Sequence, residues 1–349
     1  MTLQRLLHPD LGVLILAEFA VAAYLVFRLG SVLVRSGDAI GRSTGLGGTW
    51  VGLALLAVVT SVPEIVGTVG SVVRFRAVDM AAGNVFGSCM FNLLLIAVLD
   101  MLEGRGPVLR SAGPSHTISA SFGVMLIAMA AGSVVVAKAY PAAAGLVTVA
   151  ANVGLVVGWL AAMRLTYLFG KREPAAEERE PGMSTGAAVA RFLAAAVGVV
   201  IIGLWLVQIC NALASHEFAS GGRTFTLGRT FVGTLFLAVA TSLPEAAVTI
   251  SCIRIGALDM GIANLLGSNV CNMAILPIAD LALRGGSIYG LASLSHSLTA
   301  TAALLCTAIV MVGLVYRSQR SFMRLGWDSV AVVVIYAATS AALFASAAG

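Results

Sequence analysis

This chain carries the stretch Val51-Gly-Leu-Ala-Leu-Leu-Ala-Val-Val-Thr-Ser-Val-Pro-Glu64 and, far downstream, the stretch Val232-Gly-Thr-Leu-Phe-Leu-Ala-Val-Ala-Thr-Ser-Leu-Pro-Glu245. The two agree at most positions. A second stretch, Asp79-Met-Ala-Ala-Gly-Asn-Val-Phe-Gly-Ser-Cys-Met-Phe-Asn92, recurs as Asp259-Met-Gly-Ile-Ala-Asn-Leu-Leu-Gly-Ser-Asn-Val-Cys-Asn272 with a shift of one residue. Apolar segments often agree by chance. Recurrence of Thr-Ser-x-Pro-Glu and then Gly-Ser-x-x-x-Asn indicates an internal duplication.

The composition sets the class of protein. Of the 349 residues, 59% are hydrophobic and 11% are charged, whereas a soluble chain carries about 25% charged residues. The sequence therefore predicts an all-α polytopic membrane protein with about ten transmembrane helices of roughly 20 residues each. We expect these spans at 11–34, 50–73, 80–101, 117–136, 143–165, 186–212, 227–252, 257–283, 297–316 and 326–347.

The spans divide into two halves. Residues 1–170 form the first five-helix repeat with its motif helices in 50–101, and 186–349 form the second, with motif helices in 227–283. A charged, proline-bearing linker at 171–185 separates them. Because the second and third spans recur as the seventh and eighth, an odd number of crossings separates the copies. We therefore expect inverted repeats, which place a substrate site near the membrane midplane.

Basic residues predict the orientation. With both termini outside, the inside loops hold twice as many of the 21 lysine and arginine residues as the outside loops. The positive-inside rule then places linker 171–185 in the cytoplasm. The net charge of +5 does not indicate a nucleic-acid partner, because the basic residues are scattered without a patch. We expect a bacterial or archaeal cell-membrane protein whose surroundings are the lipid bilayer, without an obligate protein partner.

Two glutamates lie in the middle of predicted spans. A carboxylate in a bilayer is expensive unless it is paired or faces water, so Glu64 and Glu245 are functional candidates. Pro63 and Pro244 cannot donate to the preceding turn, which predicts a bend and free backbone oxygen beside each glutamate. On each helix a threonine lies one turn before the glutamate and another one turn after it, on the same face.

The neighbouring helices add more oxygen ligands. Ser88 and Asn92 are spaced i and i+4, as are Ser268 and Asn272 in the other copy. Each residue alone fits ordinary hydrogen bonding between helices, but the doubled set around two carboxylates favours an ion site. An oxygen set without clustered histidine or thiolate suits hard cations such as Ca²⁺ or Na⁺. Two carboxylates would balance one divalent ion.

The motifs resemble those of the sodium/calcium exchanger family of the cation/Ca²⁺ antiporter superfamily. The resemblance implies Na⁺/Ca²⁺ exchange by alternating access, with the first and sixth spans sliding over a rigid core. It implies no resident cofactor, since Ca²⁺ and Na⁺ are the transported substrates. By this resemblance Glu64 and Glu245 are the central Ca²⁺ ligands. The remaining residues are implied as backbone-carbonyl ligands (Thr60, Thr241) and as Na⁺ ligands (Ser61, Ser88, Ser242, Ser268, Asn92, Asn272).

The sequence departs from the family pattern at several positions. The family has a glycine before Thr-Ser, and this glycine is replaced by Val59 in one copy and by Ala240 in the other. Ala263 replaces another glycine of the family pattern. Cys89 stands where the pattern has asparagine, and Asn272 stands where some relatives have an acid. The proton-coupled branch usually carries Gly-Asn-x-x-Glu, so its absence favours sodium coupling.

Three alternatives remain open. One is proton-coupled antiport of Ca²⁺ or another divalent cation, and another is a passive channel. The third is an intramembrane hydrolase, although the chain has neither His-Glu-x-x-His nor Gly-x-Ser-x-Gly.

Two aspartates precede the third and eighth predicted spans. Asp79 and Asp259 are predicted to be N-caps of these helices.

Overall fold

The computed structural model describes residues 12–103, 106–170, 183–215, 218–220, 223–225, 238–317, 321–322 and 325–348. In the first half the helices are α1 (Gly12–Thr44), α2 (Gly48–Trp50), α3 (Ala57–Thr60), α4 (Val62–Phe75), α5 (Val78–Glu103), α6 (Val108–Ser111), α7 (His116–Ala139) and α8 (Ala144–Gly170). A π-helical segment, Val51–Leu56, joins α2 to α3, and a 3-10 turn, Pro141–Ala143, precedes α8.

The second half repeats this order. Its helices are α9 (Thr185–Ser215), α10 (Ala238–Thr241), α11 (Leu243–Arg254), α12 (Leu258–Ala282), α13 (Ile288–Leu291), α14 (Ser295–Tyr316) and α15 (Trp327–Ala348). Two antiparallel strand pairs lie in the connections, β1 (Phe218–Ser220) with β2 (Arg223–Phe225), and β3 (Ser321–Phe322) with β4 (Leu325–Gly326).

Nine helices in the described part of the chain are long and apolar enough to cross a membrane. They coincide with nine of the predicted spans, which confirms the all-α polytopic class. The remaining predicted span, 227–252, falls on α10 and α11 from Ala238 onward, and its residues 227–237 lie outside the described residues. Residues 171–182 of the predicted linker also lie outside them.

Helix α1 continues to Thr44, well past the predicted end of the first span at residue 34. The prediction followed hydropathy, which falls at Arg35, but backbone hydrogen bonding does not require apolar side chains. The Arg42 guanidinium donates to Asp38 at 2.9 Å, one turn earlier. The helix stops at Gly45, whose φ of 70° is a left-handed conformation that glycine adopts readily.

Both glutamate-bearing helices are interrupted where the prolines predicted a bend. Helix α3 ends at Thr60, and α4 begins at Val62; Ser61 between them has φ −81° and ψ 0°. In the second copy α10 and α11 meet at Ser242, with φ −87° and ψ 7°. Proline stands in the first turn of α4 and of α11, where its missing N–H has no helical partner to lose.

Helices α5 and α12 form the centre of the molecule. Within an 18-residue window of each span, 89% of the residues are buried in α12 and 72% in α5, compared with 17% in the span that contains α8. Close approach is required at Gly267 of α12, where an added Cβ would lie 2.9 Å from Leu53 Cα. The interrupted helices therefore pack directly on α5 and α12.

Candidate ion-binding site

Each glutamate lies in the first turn of a helix that starts inside the bundle. Glu64 belongs to the first turn of α4 and Glu245 to that of α11, and both are fully buried. The free N–H groups at a helix start favour negative charge. The position of the two carboxylates concentrates negative charge where both helices are interrupted.

The serine at each interruption contacts the glutamate of the other copy. Ser242 Oγ donates to Glu64 Oε1 at 3.1 Å, and Ser61 Oγ donates to Glu245 Oε1 at 3.4 Å. Hydrogen bonds to an ionised acceptor are stronger than neutral ones. The duplicated Thr-Ser-x-Pro-Glu motifs therefore form one site between the two halves of the chain.

The two predicted threonines bind the other copy as well, but through amides. Thr60 Oγ1 donates to Asn264 Oδ1 at 3.4 Å, and Thr241 Oγ1 donates to Asn84 Oδ1 at 3.2 Å. The hydroxyls of these threonines thus hold the helices together. Neither asparagine was among the predicted site residues, although both are in the duplicated motif.

Each of these asparagines also binds its own copy. Asn84 Nδ2 donates to Thr68 Oγ1 at 2.9 Å and to the Glu64 carbonyl at 3.4 Å. Asn264 Nδ2 makes the equivalent bonds to Thr249 and Glu245 at 3.3 and 3.5 Å. The face of α4 that carries Glu64 and Thr68 is therefore hydrogen-bonded to α5. The face of α11 that carries Glu245 and Thr249 is hydrogen-bonded to α12 in the same way.

The serines of the second motif take different roles. Ser268 Oγ donates to Glu245 Oε1 at 3.2 Å. Ser88 Oγ donates instead to the Ala238 carbonyl at 3.5 Å. The structure thus brings Ser268 to a carboxylate and Ser88 to the backbone of α10.

The last asparagine of each second motif also contacts the other copy. Asn92 Nδ2 donates to Asn269 Oδ1 at 3.0 Å, and Asn272 Nδ2 donates to Cys89 Sγ at 3.9 Å. All of the predicted site residues are at most 1% exposed. Within the described ranges, four oxygens of this set are buried without a hydrogen-bond partner: Glu64 Oε2, Glu245 Oε2, Asn92 Oδ1 and Asn272 Oδ1. All four can accept but not donate when the carboxylates are ionised.

The N-cap prediction for Asp79 and Asp259 is wrong. Both lie second in their helices, and Asp259 Oδ1 accepts from Gly113 N at 2.7 Å and meets His116 Nε2 at 2.8 Å. Asp79 Oδ1 has the equivalent contacts, at 2.6 and 3.2 Å, with Ser293 N and His296 Nε2. These carboxylates bind the opposite copy, which local spacing cannot indicate.

A family model described as sodium/calcium exchanger protein matches residues 14–168 and 187–345. The chain belongs to the sodium/calcium exchanger family. As a member of that family, the protein is an integral membrane cation/Ca²⁺ antiporter and not an enzyme.

The chain is also similar to individual proteins. The inner membrane protein YrbG of Escherichia coli K12 is 24% identical over 270 residues, covering 74% of this chain and 77% of YrbG. The sodium/calcium exchanger MaX1 of Methanosarcina acetivorans is 33% identical over 115 residues, covering 33% of this chain and 31% of MaX1. Among solved structures, the sodium-calcium exchanger NCX_Mj has a TM-score of 0.69 at 17% identity, covering 94% of this chain and 98% of NCX_Mj. That likeness shows the exchanger family's fold.

Proposed function

We propose that this antiporter exchanges Na⁺ for Ca²⁺ and holds the ion between Glu64 and Glu245. The observation that carries the proposal is the set of four buried acceptor oxygens in the duplicated motifs, two from carboxylates and two from asparagines. Buried acceptors without a donor are unfavourable, and a cation would satisfy them. Two carboxylates balance the charge of one Ca²⁺.

The proposed ligand set consists of oxygen only. Besides the carboxylates it includes the hydroxyls of Ser61, Ser242 and Ser268, which already donate hydrogen bonds to carboxylate oxygens. Ser88, the amide oxygens of Asn92 and Asn272, and the backbone carbonyls of Thr60 and Thr241 complete the proposed set. Hard cations prefer such ligands, and Ca²⁺ accepts six to eight of them in flexible geometry.

Alternating access requires a surface that can slide past the interrupted helices. The outer helices α1 and α9 contact these helices through glycine. An added Cβ on Gly30 of α1 would lie 3.1 Å from Ala247 Cβ, and one on Gly203 of α9 would lie 2.8 Å from Pro63 Cβ. Glycine at both contacts leaves no side chain to interlock with the interrupted helices, which supports movement of α1 and α9 across the site.

Sodium is the proposed coupling ion. Neutral hydroxyl and amide oxygens around the carboxylates can hold monovalent cations, and MaX1, which matches part of this chain, is a sodium/calcium exchanger. Proton coupling is the alternative, since the same two carboxylates could carry protons. We place the protein in a cell membrane, with both termini outside and residues 171–185 in the cytoplasm, on the basis of its basic residues.

Ion uptake by proteoliposomes tests the proposal. Vesicles loaded with Na⁺ and diluted into Na⁺-free buffer should take up radioactive Ca²⁺, with the membrane voltage clamped by valinomycin and K⁺. A pH gradient without Na⁺ should drive no uptake. Uptake driven only by the pH gradient would establish proton coupling instead, and no uptake with either gradient would contradict calcium exchange.

A further inference from the structure

The amide groups of Asn92 and Asn272 are each oriented by a side chain of the opposite copy. An asparagine amide has nearly the same shape in its two orientations, so its hydrogen-bond partners decide which end faces a cation. An oxygen facing the cation attracts it, whereas an NH₂ group repels it. In both cases a chain of hydrogen bonds leads from the amide to a backbone carbonyl, which can only accept a hydrogen bond.

The first chain of bonds ends at Asn92. Asn269 Nδ2 donates to the Cys89 carbonyl at 3.2 Å, which fixes the Asn269 amide with its oxygen on the other side. That oxygen accepts from Asn92 Nδ2 at 3.0 Å. Asn92 must therefore turn its Oδ1 away from Asn269, and this oxygen is one of the four buried acceptors.

The second chain of bonds ends at Asn272 and runs through sulfur. Cys89 Sγ donates to the Asn269 carbonyl at 3.9 Å, and Asn272 Nδ2 donates to Cys89 Sγ at 3.9 Å. Asn272 Oδ1 is again left as a buried acceptor. A thiol is a weaker donor and a weaker acceptor than an amide, so this amide is held less firmly.

We propose that Asn269 and Cys89 are positioning residues that turn the Asn92 and Asn272 oxygens toward the transported cation, with Cys89 as the weaker of the two. The two chains of bonds are called the Asn92 relay and the Asn272 relay below. The proposal rests on the proposed ion site. Residue 269 does not touch the ion in this scheme; it acts through Asn92.

Removal of the Asn269 side chain tests the Asn92 relay. In purified protein, the Ca²⁺ concentration that gives half of the maximal thermal stabilisation should rise about tenfold in Asn269→Ala, as expected for one lost polar contact. Asn152→Ala is the matched control, because Asn152 binds Asp280 at 2.8 Å, outside both relays. In an Asn92→Ala background, Asn269→Ala should cause no further loss, a result that a purely structural role would not give.

Exchange of the two relay residues tests whether Cys89 orients its asparagine less firmly than Asn269 does. Asn269→Cys should weaken Ca²⁺ binding by giving both relays a thiol, and Cys89→Asn should strengthen it by giving both an amide. For the thiol itself, Cys89→Ala should weaken binding about threefold. Cys252→Ala, which removes another buried thiol, should leave it unchanged.

The outcomes separate this proposal from the function it rests on. If Ca²⁺ stabilises the wild type and Asn269→Ala matches Asn152→Ala, the relay is contradicted while the ion site stands. If Ca²⁺ does not stabilise the wild type, the proposed function is contradicted, and the relay is tested in the same variants with Na⁺ and Mn²⁺. Absence of a response to all three cations contradicts both.

Discussion

The surroundings of Glu64 and Glu245 come from the same motif but are not equal. Glu64 Oε1 accepts from Ser242, whereas Glu245 Oε1 accepts from both Ser61 and Ser268. The hydroxyl that would complete the Glu64 side, Ser88, is turned to a backbone carbonyl. The two halves of the site therefore hold their carboxylates with different numbers of donors.

Contacts outside the carboxylate pair are more nearly equal in the two copies. Asp100 Oδ1 accepts from Val108 N at 2.7 Å, and Asp280 Oδ1 accepts from Ile288 N at 2.7 Å. The reciprocal threonine–asparagine bonds also differ little. The supporting contacts are thus similar in the two copies, while the hydrogen bonds to the two glutamates differ.

The largest expected effect comes from the glutamates. Glu64→Gln and Glu245→Gln each keep the shape of the side chain and remove half of the charge that balances Ca²⁺. We expect each variant to lose Ca²⁺ uptake in proteoliposomes by about a hundredfold or more. Asp38→Asn, which removes one carboxylate that pairs with Arg42 away from the site, should transport normally.

This pair of variants also tests whether the site is shared. Retained uptake in either glutamine variant, with the protein present in the vesicles at wild-type level, would show that one carboxylate suffices. The two halves would then not form a single site.

A smaller effect is expected from the serines of the second motif. Ser268→Ala removes a donor to Glu245 and should raise the Ca²⁺ concentration for half-maximal uptake about tenfold. Ser88→Ala removes a 3.5 Å bond to the Ala238 carbonyl and should raise it by only about threefold. Equal effects in concentration-dependent uptake would mean that Ser88 contributes as much to Ca²⁺ binding as Ser268, which would contradict the inequality of the two halves.

The smallest effect is expected from the threonines that bind Asn84 and Asn264. Thr68→Val and Thr249→Val preserve shape and remove one interhelical bond each. Each should lower the free energy of unfolding by about 0.6 kcal/mol, measured by equilibrium unfolding in mixed micelles. Ser133→Ala, which removes only a bond within its own helix, serves as the control. A clear difference between the two threonine variants would contradict the equality of the supporting contacts.

Much of the candidate site could be predicted because its functional groups lie close together in the sequence. Thr-Ser-x-Pro-Glu contains the carboxylate, the hydroxyl and the helix interruption within five positions, and its recurrence marks both halves. The orientation of Asn92 could not be predicted, because it depends on Asn269, which is remote in sequence. Cys89 was visible as a departure from the family motif, but its partner was not.

The membrane class, the duplicated motifs and the two candidate carboxylates follow from the amino-acid sequence, since hydropathy and motif recurrence need no knowledge of contacts. Helix packing is needed to bring Ser242 to Glu64 and Ser61 to Glu245 as hydrogen-bond donors. It is also needed to bring Asp79 and Asp259 to histidines of the opposite copy. Each of these bonds joins residues more than a hundred positions apart. Such pairs are selected by how the helices pack, because only packing brings a donor within hydrogen-bond distance of a remote acceptor.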